Sequence, residues 1–161
     1  MNSSAWDKFR KQQAAEREQL RRLLGGMAGL LARCRQTEPN EIELSALAAL
    51  LHSFYTGVEN IFKRASVELD GRRMTGDAWH RDLLRAMTEP AGARPALLPA
   101  ALHETLQDYL RFRHVFRNAY SFDLQWDKMS TLVLNVETTL LQLERALDQF
   151  LTHAPRAPDQ P

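Results

Sequence analysis

The chain has 161 residues, 44% hydrophobic and 25% charged, with a net charge of +1. That is enough for one domain with its own core, and the near-neutral balance excludes broad electrostatic coating of nucleic acid. The single cysteine, Cys34, excludes an internal disulfide and a cysteine-rich zinc site and fits a reducing compartment.

No run of 18 apolar residues offers a membrane span, and the polar N-terminal stretch has no secretory apolar segment. The expected location is cytoplasmic. Charge alternates along the chain. Residues 1–35 and 71–122 are net basic, whereas 36–70 and 123–161 are net acidic. Either neighbouring helices attract one another, or one basic stretch forms a local anion site.

The periodicity predicts a first helix from about Asp7 to Arg35, with Leu20, Leu24, Met27 and Leu31 at helical spacing. Gly25 and Gly26 weaken it. Its first half, Lys8 to Arg22, is nearly all polar and is read as solvent-facing or touching a partner. Residues 1–35 are set apart as an N-terminal basic helix.

A second helix follows the Thr37–Asn40 turn, with Thr37 as cap and Pro39 in the first turn. It runs to about Leu69 with Leu47, Leu51, Phe54, Tyr55, Val58 and Phe62 on its apolar face. A short third helix is expected from Asp77, its cap, to Thr88. A proline- and glycine-bearing loop spans Glu89–Pro99. Helix four is expected over Ala100–Ser121 and helix five over Asp127–His153. The tail 154–161 holds three prolines and is expected to be disordered. No strand alternation persists. The architecture expected is all-α, an antiparallel bundle of four to five helices over 36–153.

Helix four carries the unusual pattern. At about 100° per residue, Arg113, Arg117 and Tyr120 continue the stripe of Leu102, Leu106 and Leu110. Arginine is seldom buried without a partner. This end of the helix therefore either opens into a cleft or meets carboxylates or a phosphate. Arg111, His114 and Asn118 form a second row at i, i+3 and i+7. That row is either a solvated face or a set able to hold a phosphate and move a proton.

The run from Arg113 to Tyr120 resembles the motif of HepT-like ribonucleases of the HEPN superfamily. That motif has an arginine, a histidine five residues on and a tyrosine two further. Arg113 and Tyr120 match it, but Asn118 stands at the histidine position, and the nearest histidine is His114. The segments Tyr55–Asn60 and Trp79–Leu84 are also similar to this group, and the resemblance covers roughly Glu41 to Leu151. It implies a HEPN-like bundle and a toxin that cleaves RNA without metal, leaving a 2′,3′-cyclic phosphate. It implies a homodimer and a nucleotidyltransferase antitoxin, with Tyr120 as acceptor of AMP groups. Arginine suits a phosphorane and histidine suits proton transfer. Asparagine cannot act as a general acid or base. Either His114 replaces it, or the chain is an inactive module that binds RNA or a nucleotidyltransferase, or the arginines act alone.

Three residues are weighed beside the motif. Glu59 is read either as a structural ion-pair partner of Arg113 or Arg117, or as support for the site. His80 is a surface or capping residue, or reaches a dimer cleft. Tyr120 either packs on Phe116 or is modified. His52 and His103 lack companions at metal spacing, and no zinc, P-loop or dinucleotide motif is present. No cofactor or metal is expected. A purely structural bundle that dimerises through its long helices fits less well, because a structural seam favours leucine where the arginines stand.

Overall fold

The computed structural model describes residues 2–156, apart from the side chain of Ser121. Six helices follow one another: α1 (Ser3–Gly26), α2 (Ala28–Arg33), α3 (Glu41–Glu68), α4 (Trp79–Ala86), α5 (Ala100–Phe116) and α6 (Trp126–Leu151). A 3-10 turn, Ser121–Asp123, lies between the last two. No strand is present among the described residues, and the fold is the expected all-helical bundle. No described helix is long and apolar enough to cross a membrane.

The central helix is α3, which packs against α1, α4, α5 and α6. Its buried face runs from Leu47 through Tyr55 to Ala65. Its start is fixed by a capping box: Glu43 N donates to Asn40 Oδ1 and Asn40 N to Glu43 Oε1. The cap is thus Asn40 rather than Thr37, since the residue before Pro39 is biased away from helical backbone. Ion pairs give the directions. Lys8 reaches Glu68 while Leu20 meets Gly57, and Arg17 reaches Asp148 while Arg21 reaches Glu144, so α1 runs antiparallel to both α3 and α6.

The first half of α1 does not project into solvent. Trp6, Phe9, Gln13 and Leu20 are buried, and the ring centroids of Trp6 and Phe9 lie 5.1 and 5.9 Å from that of Phe150. Four apolar or amide residues on one stripe suffice, because the charged residues flank the stripe and pair across helices. Gly57 of α3 makes room for α1: a Cβ there would lie 2.6 Å from Leu20 Cδ2. The break in the first helix falls at Met27, just after the glycine pair.

Two further boundaries differ from expectation. α4 begins at Trp79, with Ala78 and not Asp77 at its cap, after Gly76 turns the chain at φ 96°. α5 stops at Phe116, five residues early. Asp123 draws the chain off the helix by accepting from Tyr120 N at 3.1 Å. Of the tail, Ala154 packs partly buried against the core, and 157–161 lie outside the described residues.

The Glu89–Pro99 loop is held from within. Arg94, 4% exposed, donates bidentately to Asp70 at 2.6 and 2.8 Å and to the carbonyls of Glu89 and Pro95 at 3.0 Å. Met87 O accepts from both Leu97 N and Leu98 N, seating two leucines in the core.

Candidate active site

Arg113 is buried on α5, 6% exposed, where the helical wheel puts it on the core stripe. Its charge is met by Glu59 of α3, itself 3% exposed, with Nη2 donating to Oε2 at 2.9 Å. His80 joins from α4, its Nδ1 2.7 Å from the same Oε2. An ionised carboxylate only accepts, so Nδ1 carries the hydrogen. The 2.9 Å between His80 Nδ1 and Arg113 Nη2 then reflects two donors converging on one oxygen. This leaves Nε2 as the free ring nitrogen. The His80 side chain is 25% exposed, so the cluster opens to solvent on this side.

The carboxylate–imidazole pair fixes the tautomer and the ring plane. The Trp79 ring lies 3.6 Å from that of His80 by centroid and presses it into place. Lys63 completes the surround, 3.9 Å from Glu59 Oε1 and 4.7 Å from the Trp79 centroid. Below, the Arg113 guanidinium sits 4.8 Å from the centroid of Tyr55. Burial, and secondarily the charge of Glu59, pushes the Tyr55 phenol up, so it stays neutral.

Arg113 is not saturated. Besides Glu59 it has a long contact to Thr56 Oγ1, 3.5 Å, and its Nε donates to no described residue. Beyond Thr56 lies His52, whose ring is 5.7 Å from that of Phe116. Burial first, and then the charges of Arg113 and Arg117, hold the His52 imidazole below its ordinary value. Its buried Nδ1 has no partner among the described residues.

Two grooves flank the cluster. One, of about 580 Å³, is lined by His52, Ser53 and Thr56 of α3 and by Gln19 and Arg22 of α1. The other, of about 470 Å³, is lined by Lys63, Arg64 and Trp79. Asn60 and Glu16 line both.

The remaining sequence-derived residues lie apart from this cluster. His114, Arg117 and Asn118 are exposed, and the Asn118 amide donates to His114 O at 3.4 Å. Tyr120 is 70% exposed beyond the end of α5 and stacks on Phe122, not Phe116, at 5.2 Å. Arg111 pairs with Asp108 at 2.6 Å and lines a third groove between α5 and α6. So Arg113, Glu59 and His80 are brought together, while the row Arg111–His114–Asn118 faces outward.

Sequence reasoning did not single out Thr56, Trp79 or Lys63 as neighbours of Arg113. For Thr56 and Lys63 the available signal was register on α3, where Thr56, Glu59 and Lys63 fall at i, i+3 and i+7; Trp79, on α4, had none. Among the described residues no group of three or more His, Cys, Asp or Glu is placed to hold a metal.

A family model described as HepT-like protein matches residues 46–154, more than half of the chain. The matched span contains Glu59, His80 and Arg113. No curated protein and no solved structure matches the chain.

Proposed function

The chain belongs to the HepT-like family, and from that premise we propose that it is an RNA endonuclease toxin whose reacting centre is Arg113 with His80 and Glu59. The observation that carries this reading is a buried guanidinium with an unengaged Nε, beside an imidazole whose tautomer is set by a buried carboxylate. Metal is not required for the reaction. The RNA 2′-hydroxyl attacks the neighbouring phosphorus, His80 Nε2 takes its proton, and a P–O2′ bond forms. The P–O5′ bond then breaks, the imidazolium returns the proton to the departing 5′-oxygen, and a 2′,3′-cyclic phosphate remains. Arg113 meets the charge on the equatorial oxygens. Arg117 and His114 stand at the exposed edge, where they contact the strand rather than the reacting bond.

Exposure supports two further parts of the reading. Tyr120, 70% exposed, offers its hydroxyl to a nucleotidyltransferase antitoxin as AMP acceptor. Tyr120 stacks on Phe122 with both rings exposed, and Val115 of the motif is exposed too, apolar surface suited to a homodimer contact.

A second reading rests on Asn118. The motif position is an exposed amide bonded to its own helix, which suits a module that binds RNA or a nucleotidyltransferase without cleaving.

The test is incubation of the purified chain with end-labelled cellular RNA in EDTA, beside Arg113→Ala, His80→Ala and His114→Ala. The proposal expects cyclic-phosphate ends that vanish in the first two variants and persist in the third. Loss with His114→Ala alone moves the proton role there. No cleavage by folded, unmodified protein favours the binding module.

A further inference from the structure

The basic residues are not spread evenly over the surface. Arg17, Arg21, Arg33, Arg94, Arg111 and Arg113 each pair with a carboxylate. Other arginines make no ion pair among the described residues, and of these Arg64, Arg72 and Arg73 are exposed and converge on one groove. These three line the 470 Å³ groove together with Lys63 and Trp79, and Glu16 is the one carboxylate there.

The loop that carries two of them is pinned. Arg72 N donates to Ser66 O at 3.0 Å, and Ser66 Oγ donates to Arg72 O at 2.6 Å. Gly71, at φ 61°, makes the reversal. The backbone thus holds Arg72 and Arg73 beside Lys63 and Arg64, against their mutual repulsion. An anion in the groove relieves that repulsion.

Contacts lead directly from this groove to the candidate centre. Lys63 lies 4.7 Å from the Trp79 centroid, Trp79 lies 3.6 Å from His80, and His80 Nδ1 lies 2.9 Å from Arg113 Nη2. We infer that the groove is the track for the phosphate backbone of a single-stranded RNA, which passes Trp79 to reach Arg113. A basic groove with an aromatic side chain in its wall is the arrangement that holds a single strand, whose bases can stack on the ring. The inference rests on the reading of Arg113 as a site that acts on RNA.

The experiment measures anisotropy of a labelled 2′-O-methyl oligoribonucleotide, which lacks the attacking hydroxyl, over a salt series. Wild type is compared with a variant carrying Arg64→Gln, Arg72→Gln and Arg73→Gln. The expected result is binding at least about tenfold weaker, with a log–log salt slope shallower by about 2, at about 0.7 per lost phosphate contact. The unfolding midpoint should not move. If it does, Arg64→Gln with Arg73→Gln serves as the variant, with a slope change of about 1.4.

Equal affinity and slope in wild type and variant, or no binding by wild type, overturns the groove. So does equal binding of a polyglutamate of matched charge. Cleavage of ordinary RNA by a protein whose binding ignores the variant leaves the nuclease standing without the groove. Binding that the variant abolishes, with no cleavage of ordinary RNA, leaves the groove and removes the nuclease.

Discussion

Among the described residues two arginines are buried, and they are buried differently. Arg94 holds both oxygens of Asp70 and the carbonyls of Glu89 and Pro95. Nothing of its charge is left for a ligand, and what it organises is the loop between α4 and α5. Arg113 shares one oxygen of Glu59 with His80, touches Thr56 at 3.5 Å and leaves Nε without a described partner. Burial alone therefore does not mark a functional cation. The difference lies in how many donors the fold has engaged, and an under-engaged guanidinium next to an oriented imidazole is the arrangement that phosphoryl chemistry uses.

The widest separation between the two should appear in stability. Arg94→Ala leaves the Asp70 carboxylate, 10% exposed, without its partner and should cost about 3 kcal/mol in urea unfolding. Arg113→Ala should cost clearly less, because His80 and Lys63 remain around Glu59. Equal losses would make both arginines structural and end the contrast.

In activity the order should reverse. Arg113→Lys keeps a charge but lacks the fork, and cleavage should fall about 100-fold or more. Arg94→Lys, at a temperature where it remains folded, should cleave at nearly the wild-type rate. A comparable loss in both would mean that loop position, not donor availability, controls the chemistry.

The floor beneath Arg113 gives the next measurement. Tyr109 lies one turn before it on α5 and donates to Leu132 O at 2.7 Å. Burial pushes the phenol up to about 12. The folded form keeps its proton when the unfolded chain, titrating near 10, has lost it. Its contribution is intact below about pH 10 and is lost between pH 10 and 12, amounting to about 3 kcal/mol. Tyr109→Phe should flatten that part of a stability-versus-pH curve. An unchanged slope would show that α5 is not anchored there.

The smallest effects concern the helix opposite. Gly57→Ala should lose about 1 kcal/mol, since crowding against the buried Leu20 outweighs the gain in helix propensity. Gly25→Ala meets nothing within 4 Å and should gain up to about 1 kcal/mol. The same sign for both would mean that the α1–α3 seam behind the site is loose.

What the chain disclosed before folding was mostly local. Periodicity placed the long helices, the wheel put Arg113 in the core stripe, and its charge there required a partner, for which Glu59 was a candidate. His80 was weighed as a residue that could reach a cleft, but not as the partner of Glu59, because α4 reaches α3 across a glycine turn whose geometry no spacing encodes. Arg94 gave no warning either, as a single arginine among loop prolines. Asn118 and Tyr120 were read onto a continuing helix, since no glycine or proline marks its end. The stop is made by Asp123, which sits after the residues it captures. The contact spans only three residues, but it is a side chain accepting from backbone before it, which apolar periodicity does not report.

The indole of Trp79, its centroid 3.6 Å from that of His80, gives the protein an optical gauge of its own centre. Indole emission dims when a neighbouring imidazole gains a proton. With Trp6 and Trp126 replaced by phenylalanine, the remaining fluorescence becomes a continuous record of the charge on His80, readable without substrate or label.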